Sequence, residues 1–261
     1  MRPLSKSKLL AFRQCPKRLW LEVHQPELRA YSGPTLASFA TGHQVGDIAR
    51  QLYDPQAQGT LIDPLAEGFD AAFARTQHLL THSHQPIFEA GFRAGGALAF
   101  ADVLLPSDEG DQLGWRMVEV KSSTSVKDYH RDDAAIQACV AREAGLALTA
   151  IAVAHIDSGW TYPGQGDYQG LLRESDLSEE AFARADEVKG WVEQAQAVVQ
   201  RASAPTLATG AQCFHPFECG FYNHCASLEP QAEHPVHWLP RPGQAVQNHV
   251  QAHGVTELRD M

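Results

Sequence analysis

Four short runs between Ile87 and Ile156 carry the patterning of β-strands: Ile87 to Arg93, Ala97 to Leu105, Trp115 to Lys121 and Leu148 to Ile156. Their β-branched, aromatic and alternating apolar positions suit a pleated element with at least one covered face. Glycines and an acidic turn, Ser107 to Gly114, separate the first three, and a helix is predicted from about Asp132 to Ala144 before the fourth. A strand, helix, strand order implies a mixed sheet with a crossover, hence an α/β core.

Helical patterning flanks this core. Ser5 can cap a helix running to Gln14, and Pro16 suits the first turn of a second helix carrying Leu19, Trp20 and Val23. Cys15 therefore falls at a helix junction. Phe39 to Tyr53 reads as another helix, with Phe39, Val45, Ile48, Ala49 and Leu52 on its apolar face and His43 near its start. Gly159 to Gly170 reads as a loop, Gln169 to Arg173 as an edge strand, and Ser178 to Gln200 as one long Ser-capped helix. His78, His82 and His84 fall in a stretch that resembles exposed linker. The expected organisation is an N-terminal helical segment over 1–30, a core over 31–201, a cysteine-bearing segment over 202–229, and a tail or linker to a further domain over 230–261.

Composition narrows the class. A chain of 261 residues, 44% hydrophobic and 20% charged, can bury one large core. No apolar signal core opens the chain and no run is long enough to cross a bilayer, so a cytoplasmic protein with no membrane partner is expected. Five cysteines without a secretory signal argue for metal ligation rather than a disulfide framework. The formal charge of −10 disfavours diffuse attraction to nucleic acid, so any such contact must be local. Arg2, Lys6, Lys8, Arg13, Lys17, Arg18 and Arg29 form a candidate patch, although a solvated helix face explains the same charges.

Asp102 lies toward the end of one predicted strand, and Glu119 and Lys121 share a face of the next. Pairing of those strands would bring Asp102 to Glu119 and create a hard-metal site. Carboxylate-held Mg²⁺ or Mn²⁺ suits phosphodiester hydrolysis, with Lys121 as base, water-orienting group or transition-state cation. An isolated ExK triplet is more often a surface ion pair.

The order of motifs adds context. Gly42-His43, Glu89, Phe100-Ala101-Asp102, Val118-Glu119-Val120-Lys121-Ser122, Tyr129-His130, Asp133 and Gln137 occur in sequence. This series resembles the PD-(D/E)XK nuclease superfamily, in particular the RecB-like iron–sulfur branch that includes CRISPR adaptation nucleases and AddB helicase–nuclease subunits. The resemblance implies a restriction-endonuclease-like mixed central sheet flanked by helices. It assigns metal ligation to His43, Asp102, Glu119 and the Val120 carbonyl, catalysis to Lys121, and DNA positioning to Gln137. It also implies a helicase or CRISPR adaptation proteins as partners. Position 141 is Ala where the family has Tyr, and Tyr129 is a substitute candidate; Glu89 is a metal-adjacent candidate.

Cys213, Cys219 and Cys225 are separated by five residues each, wider than the two to four common in zinc sites. With Cys15 they make a four-thiol set, and the one-plus-three layout matches the iron–sulfur members of the resembling family, implying a 4Fe-4S cluster subdomain that joins the N- and C-terminal segments. Zinc, with His215 or His224 replacing one sulfur, is the alternative metal. Cys139 reads as a small buried hydrophobe.

The leading expectation is a divalent-metal-dependent DNA nuclease, exonucleolytic or directed to single strands and ends. A noncatalytic DNA-binding or scaffolding module of a repair or defence complex is the competing one, and Ala141 and the acidic net charge favour it.

Overall fold

A computed structural model describes residues 3–107, 114–229 and 232–261. The tip of the expected acidic turn, 108–113, lies outside the described residues, but Ser107 and Gly114 are register partners where the two strands meet it. Seven strands form one sheet: β1 (Leu4–Ser5), β2 (Thr60–Leu61), β3 (Ile87–Ala94), β4 (Ala97–Ser107), β5 (Gly114–Lys121), β6 (Leu148–Ile156) and β7 (Leu172–Asp176). The helices are α1 (Lys6–Gln14), α2 (Pro16–His24), α3 (Gly33–Tyr53), α4 (Pro64–Glu67), α5 (Phe69–His82), α6 (Asp128–Glu143), α7 (Ser178–Ala183), α8 (Ala185–Val199), α9 (Tyr222–Ser227) and α10 (Gln244–His253). The sheet runs β2-β3-β4-β5-β6-β7. β3 to β5 are antiparallel, β5 and β6 are parallel across the α6 crossover, and β7 closes the edge antiparallel. The chain is thus a mixed α/β protein with a central sheet flanked by helices. Among the described residues no helix is long and apolar enough to cross a membrane.

The larger core lies on the sheet face bearing α6. Ala90, Phe92, Ala99, Ala101, Met117, Ile151 and Val153 pack there against Ala134, Ile136, Ala138 and Ala141. Small side chains along α6 let it approach the sheet closely, and an Ala141 with no exposure leaves no room there for a tyrosine ring. Phe88, Val103, Val118 and Ala154 form a smaller cluster on the opposite face. In β3 and β4 the switch between the two faces occurs at one row: Ile87 and Ala90 face the larger core, Phe88 the smaller, and Glu89 between them has φ 56°. Asp102 sits opposite, between Ala101 and Val103, where regular pairing is interrupted on both its sides. The interruption re-aims two acidic side chains out of the regular pleat.

Several boundaries differ from the patterning. α6 starts four residues earlier than expected, and α3 reaches back to Gly33, where Ser32 caps it through the Thr35 amide. Phe39 is 47% exposed; on α3 only Val45 and Ala49 are buried. The expected edge strand is shifted to Leu172–Asp176. The long helix breaks at Arg184, and Ser178 is no cap: its hydroxyl accepts from the Ile151 amide, anchoring α7 to β6. His78 and His82 belong to α5 rather than a linker, stacked on one another while Ala72, Phe73 and Thr76 face inward. Gly91 permits this docking, since a Cβ there would meet Phe73 and Phe100 within 3 Å.

Candidate active site and cysteine pocket

β1 determines how the site is assembled. It pairs parallel with the start of β4, Ser5 against Leu98, on the side where β5 joins β4 only from Val103 onward. Lys6 follows directly, beside the gap between the two partners. Its Nζ donates to Glu119 Oε1 at 2.8 Å and lies 3.2 Å from Asp133 Oδ1. Lys121 Nζ donates to the same Glu119 oxygen at 2.6 Å and to Asp133 Oδ2 at 2.5 Å. Gln137 Nε2 donates to Glu119 Oε2 at 2.5 Å, and Asp102 Oδ2 accepts the Val120 amide at 2.7 Å. Asp102, Glu119 and Lys121 thus come together from β4 and β5, Gln137 joins them from α6, and Asp133 and Lys6 complete the cluster.

The electrostatics are those of a dry acidic nest. Burial, followed by Asp102, opposes the Glu119 charge, yet Lys121 and Lys6 hold its carboxyl below the ordinary value. Burial raises Asp102, against the pull of Lys6 and Lys121. Burial likewise raises half-buried Glu89, which feels Lys6 and Glu119 and so belongs to the same field. Burial opposes the Lys121 charge, but Asp133, Glu119 and Asp102 outweigh it, and the ammonium is held well above its usual value. Glu119 and Asp133 face the two lysines, with Asp102 and Glu89 pushed toward their neutral forms beside them, and among the described residues the buried Gln137 Oε1 has no hydrogen-bond partner. Grouped carboxylates and that unpartnered oxygen are features a bound cation would account for.

The remaining assigned residues stand differently. His43 is exposed on α3, and among the described residues no group of three or more His, Cys, Asp or Glu side chains is arranged to hold a metal ion. Tyr129 packs edge-on against His130 and Phe217, with centroids 4.2 and 4.4 Å apart. Of the basic patch, Arg2 lies outside the described residues, while Lys6 is engaged with the acids, Arg13 with Asp132 and the Trp191 ring, and Arg18 with Glu22.

The sequence places Lys6 in the basic patch and not at the acids, because the two-residue strand that brings it there has no periodicity to announce it. Lys6→Ala removes one of two cations facing Glu119 and Asp133, so a stability loss of about 2 kcal/mol is expected by urea unfolding. An unchanged midpoint would show the contact to be idle.

His130 provides a pH test. It is 1% exposed, and its Nδ1 accepts the Lys127 amide at 3.1 Å, which requires a ring unprotonated at that nitrogen. Burial, then Lys121, pushes its pKa down to about 4. The unfolded ring binds a proton below about 6.5 and the folded ring does not, so this contribution is intact above 6.5. It is lost as pH falls from there toward 4, by about 2 kcal/mol. Unfolding at pH 7 and at pH 4.5 should give a steeper loss for the parent than for His130→Gln; parallel losses would contradict it.

The four clasp cysteines line one pocket. Cys15, at the α1–α2 junction, lines it with Cys213, Cys219 and Cys225, beside Leu21 and Phe221, but among the described residues these thiols are not grouped as a metal site, so the expected iron–sulfur subdomain is not seen. The Cys219 amide donates to the Cys213 carbonyl at 2.7 Å. Burial raises the Cys219 and Cys225 thiols, and Cys213 and Cys15 push each of them further the same way. Hydrogen bonds also join the chain ends: Gln14 Nε2 donates to the Gln212 and Phe217 carbonyls at 2.7 Å, and the Ala30 amide to Gly220 at 2.8 Å. A Cβ at Gly220 would meet Arg29 at 2.8 Å, so this approach requires glycine. Cys139 is elsewhere, buried in the larger core beside the Ala185 carbonyl.

No protein-family model matches the chain, and neither does any curated protein. One solved structure, described as the crystal structure of SSO0001, is similar at 14% identity over 77% of this chain and 78% of that one, with a TM-score of 0.38. At that distance the likeness carries no functional information.

Proposed function

We propose that the protein is a divalent-metal-dependent DNA nuclease of the PD-(D/E)XK type. The observation that carries this reading is the convergence of Asp102, Glu119 and Lys121, with Gln137, in one buried nest at the junction of β4 and β5. Mg²⁺ or Mn²⁺ held by Asp102, Glu119 and the Val120 carbonyl would supply Lewis acidity and neutralise charge on the phosphate. His43 is the fourth ligand that the family resemblance assigns. Lys121, whose Nζ lies against Glu119 and Asp133, would stabilise the negative charge that builds on the phosphate oxygens. Gln137 and Lys6 hold the Glu119 carboxylate in place. Glu89 tunes the field from the neighbouring strand.

A 4Fe-4S cluster on Cys15, Cys213, Cys219 and Cys225 belongs to the same proposal. The four cysteines line one pocket, with Lys17 and Arg18 alongside, and would be the ligands of a group that takes four thiolates. Its role here is structural: it ties α1, and thereby Lys6, to the C-terminal segment.

A second reading, a noncatalytic DNA-binding or scaffolding module, draws on the two lysines that already bridge Glu119 and Asp133. Incubation of the chain with labelled linear, circular and single-stranded DNA plus Mg²⁺ or Mn²⁺ separates the two. Cleavage that depends on the ion supports the nuclease; retention of DNA without cleavage supports the scaffold. Cleavage of linear but not circular DNA would assign exonuclease action.

A further inference from the structure

The loop between β6 and β7 carries three aromatic rings that the nuclease reading leaves unused. Tyr168 lies within 24° of parallel to both Trp160 and Tyr162, with centroids 6.2 and 5.3 Å away, and Trp160 and Tyr162 are 5.8 Å apart. Tyr162 is 49% exposed. The polar edges are held by the loop itself: Trp160 Nε1 donates to the Gln169 carbonyl at 2.8 Å, and the Gly166 amide to the Tyr162 hydroxyl at 2.7 Å. The loop's two acids are similarly engaged, Asp157 accepting from the Gly159 amide and Asp167 from the Gln169 amide. Tyr162 is the exposed ring of the three, backed by Tyr168 and Trp160.

Its position connects it to the nest. Lys121 is the register partner of His155 on β6, and His155 of Arg173 on β7, so the three residues form one row across the sheet. The loop leaves β6 at Asp157, two residues beyond His155. The Ile156 amide donates to the Ser123 carbonyl at 2.9 Å, which joins the start of this loop to the segment just after Lys121. These links make the loop a neighbour of the strand end that carries Lys121.

We infer that Trp160, Tyr162 and Tyr168 form a stacking platform for the unpaired bases of a single-stranded polynucleotide, making that form the preferred substrate. This rests on the nuclease reading for the position of the phosphate. The physical reason is general: every base has a face that stacks on an aromatic ring without sequence preference, and bases in a duplex already stack on one another.

The test measures binding apart from hydrolysis. With EDTA present to prevent cleavage, fluorescently labelled oligothymidylate and a hairpin duplex of equal length are titrated with the full chain, Tyr162→Ala and Tyr162→Phe. In parallel, each protein is assayed with Mn²⁺ on bis(4-nitrophenyl) phosphate, which has no base to stack. Tyr162→Ala should bind oligothymidylate about tenfold more weakly, with hairpin affinity and small-diester hydrolysis unchanged, and Tyr162→Phe should behave as the parent. Equal oligothymidylate affinity in parent and Tyr162→Ala, or an equal loss on the hairpin, overturns the platform. Tyr162-dependent binding without small-diester hydrolysis supports the platform while removing the nuclease reading, so the two fail separately.

Discussion

Lys121→Ala is expected to lower Mg²⁺- or Mn²⁺-dependent DNA cleavage by about 10³-fold, the scale on which a preorganised group facing developing charge contributes to catalysis. Its Nζ reaches both Glu119 and Asp133, so its removal has a second consequence. Two buried carboxylates would then share Lys6, and a loss of about 2–3 kcal/mol of stability is expected. Activity and stability must therefore be read on the same preparation. Lys121→Arg retains the cation but not the compact ammonium, so it should recover more of the stability than of the rate. A Lys121→Ala protein that cuts as well as the parent would remove Lys121 from the mechanism. A protein that loses rate with no change in unfolding would instead show that Lys6 alone satisfies the acids.

Cys219→Ser is expected to remove the visible brown absorbance, reduce bound iron, and lower stability by about 3 kcal/mol or more, because the energy of binding a structural metal centre is folding energy. Cys139→Ala is the control. Its sulfur is in the larger core, away from the clasp pocket, so colour and iron should survive with only a small packing cost. The Gln14 and Ala30 hydrogen bonds between the chain ends predict that Cys219→Ser remains folded at low temperature. Colourless parent protein with stoichiometric zinc would replace the cluster by the alternative metal. Loss of iron from Cys139→Ala alone would assign the cysteines wrongly.

The parts of this molecule that were legible in its sequence share a physical cause. β3 to β6 and α6 bury long apolar faces, and burial leaves a periodic trace in residue type. Glu119 and Lys121, carried by β5, were placed on one face for the same reason. What was missed has no local trace. Lys6 reaches the nest because β1 pairs with the end of β4 that β5 leaves uncovered, a tertiary event encoded in two residues. Glu89 and Asp102 are aimed by an interruption across β3 and β4, where regular alternation would have assigned them to faces by parity alone. The break at Arg184 is also tertiary: its guanidinium pairs with Asp132 on α6 and lies over the Trp191 ring. α5 was different, since its inward residues Ala72, Phe73 and Thr76 have helical spacing, and the histidines that follow them obscured it.

The nest of Asp102, Glu119 and Lys121 is proposed as a metal-dependent phosphodiester-cleaving site, and the other functional assignments follow from it. The most direct measurement is cleavage of end-labelled single-stranded DNA as Mn²⁺ is titrated, for the parent and for Asp102→Asn at matched folding and iron content. Cleavage that rises with the ion in the parent and is lost in Asp102→Asn is the predicted result. Equal cleavage by both proteins, or none by the parent at any concentration of the ion, would contradict it.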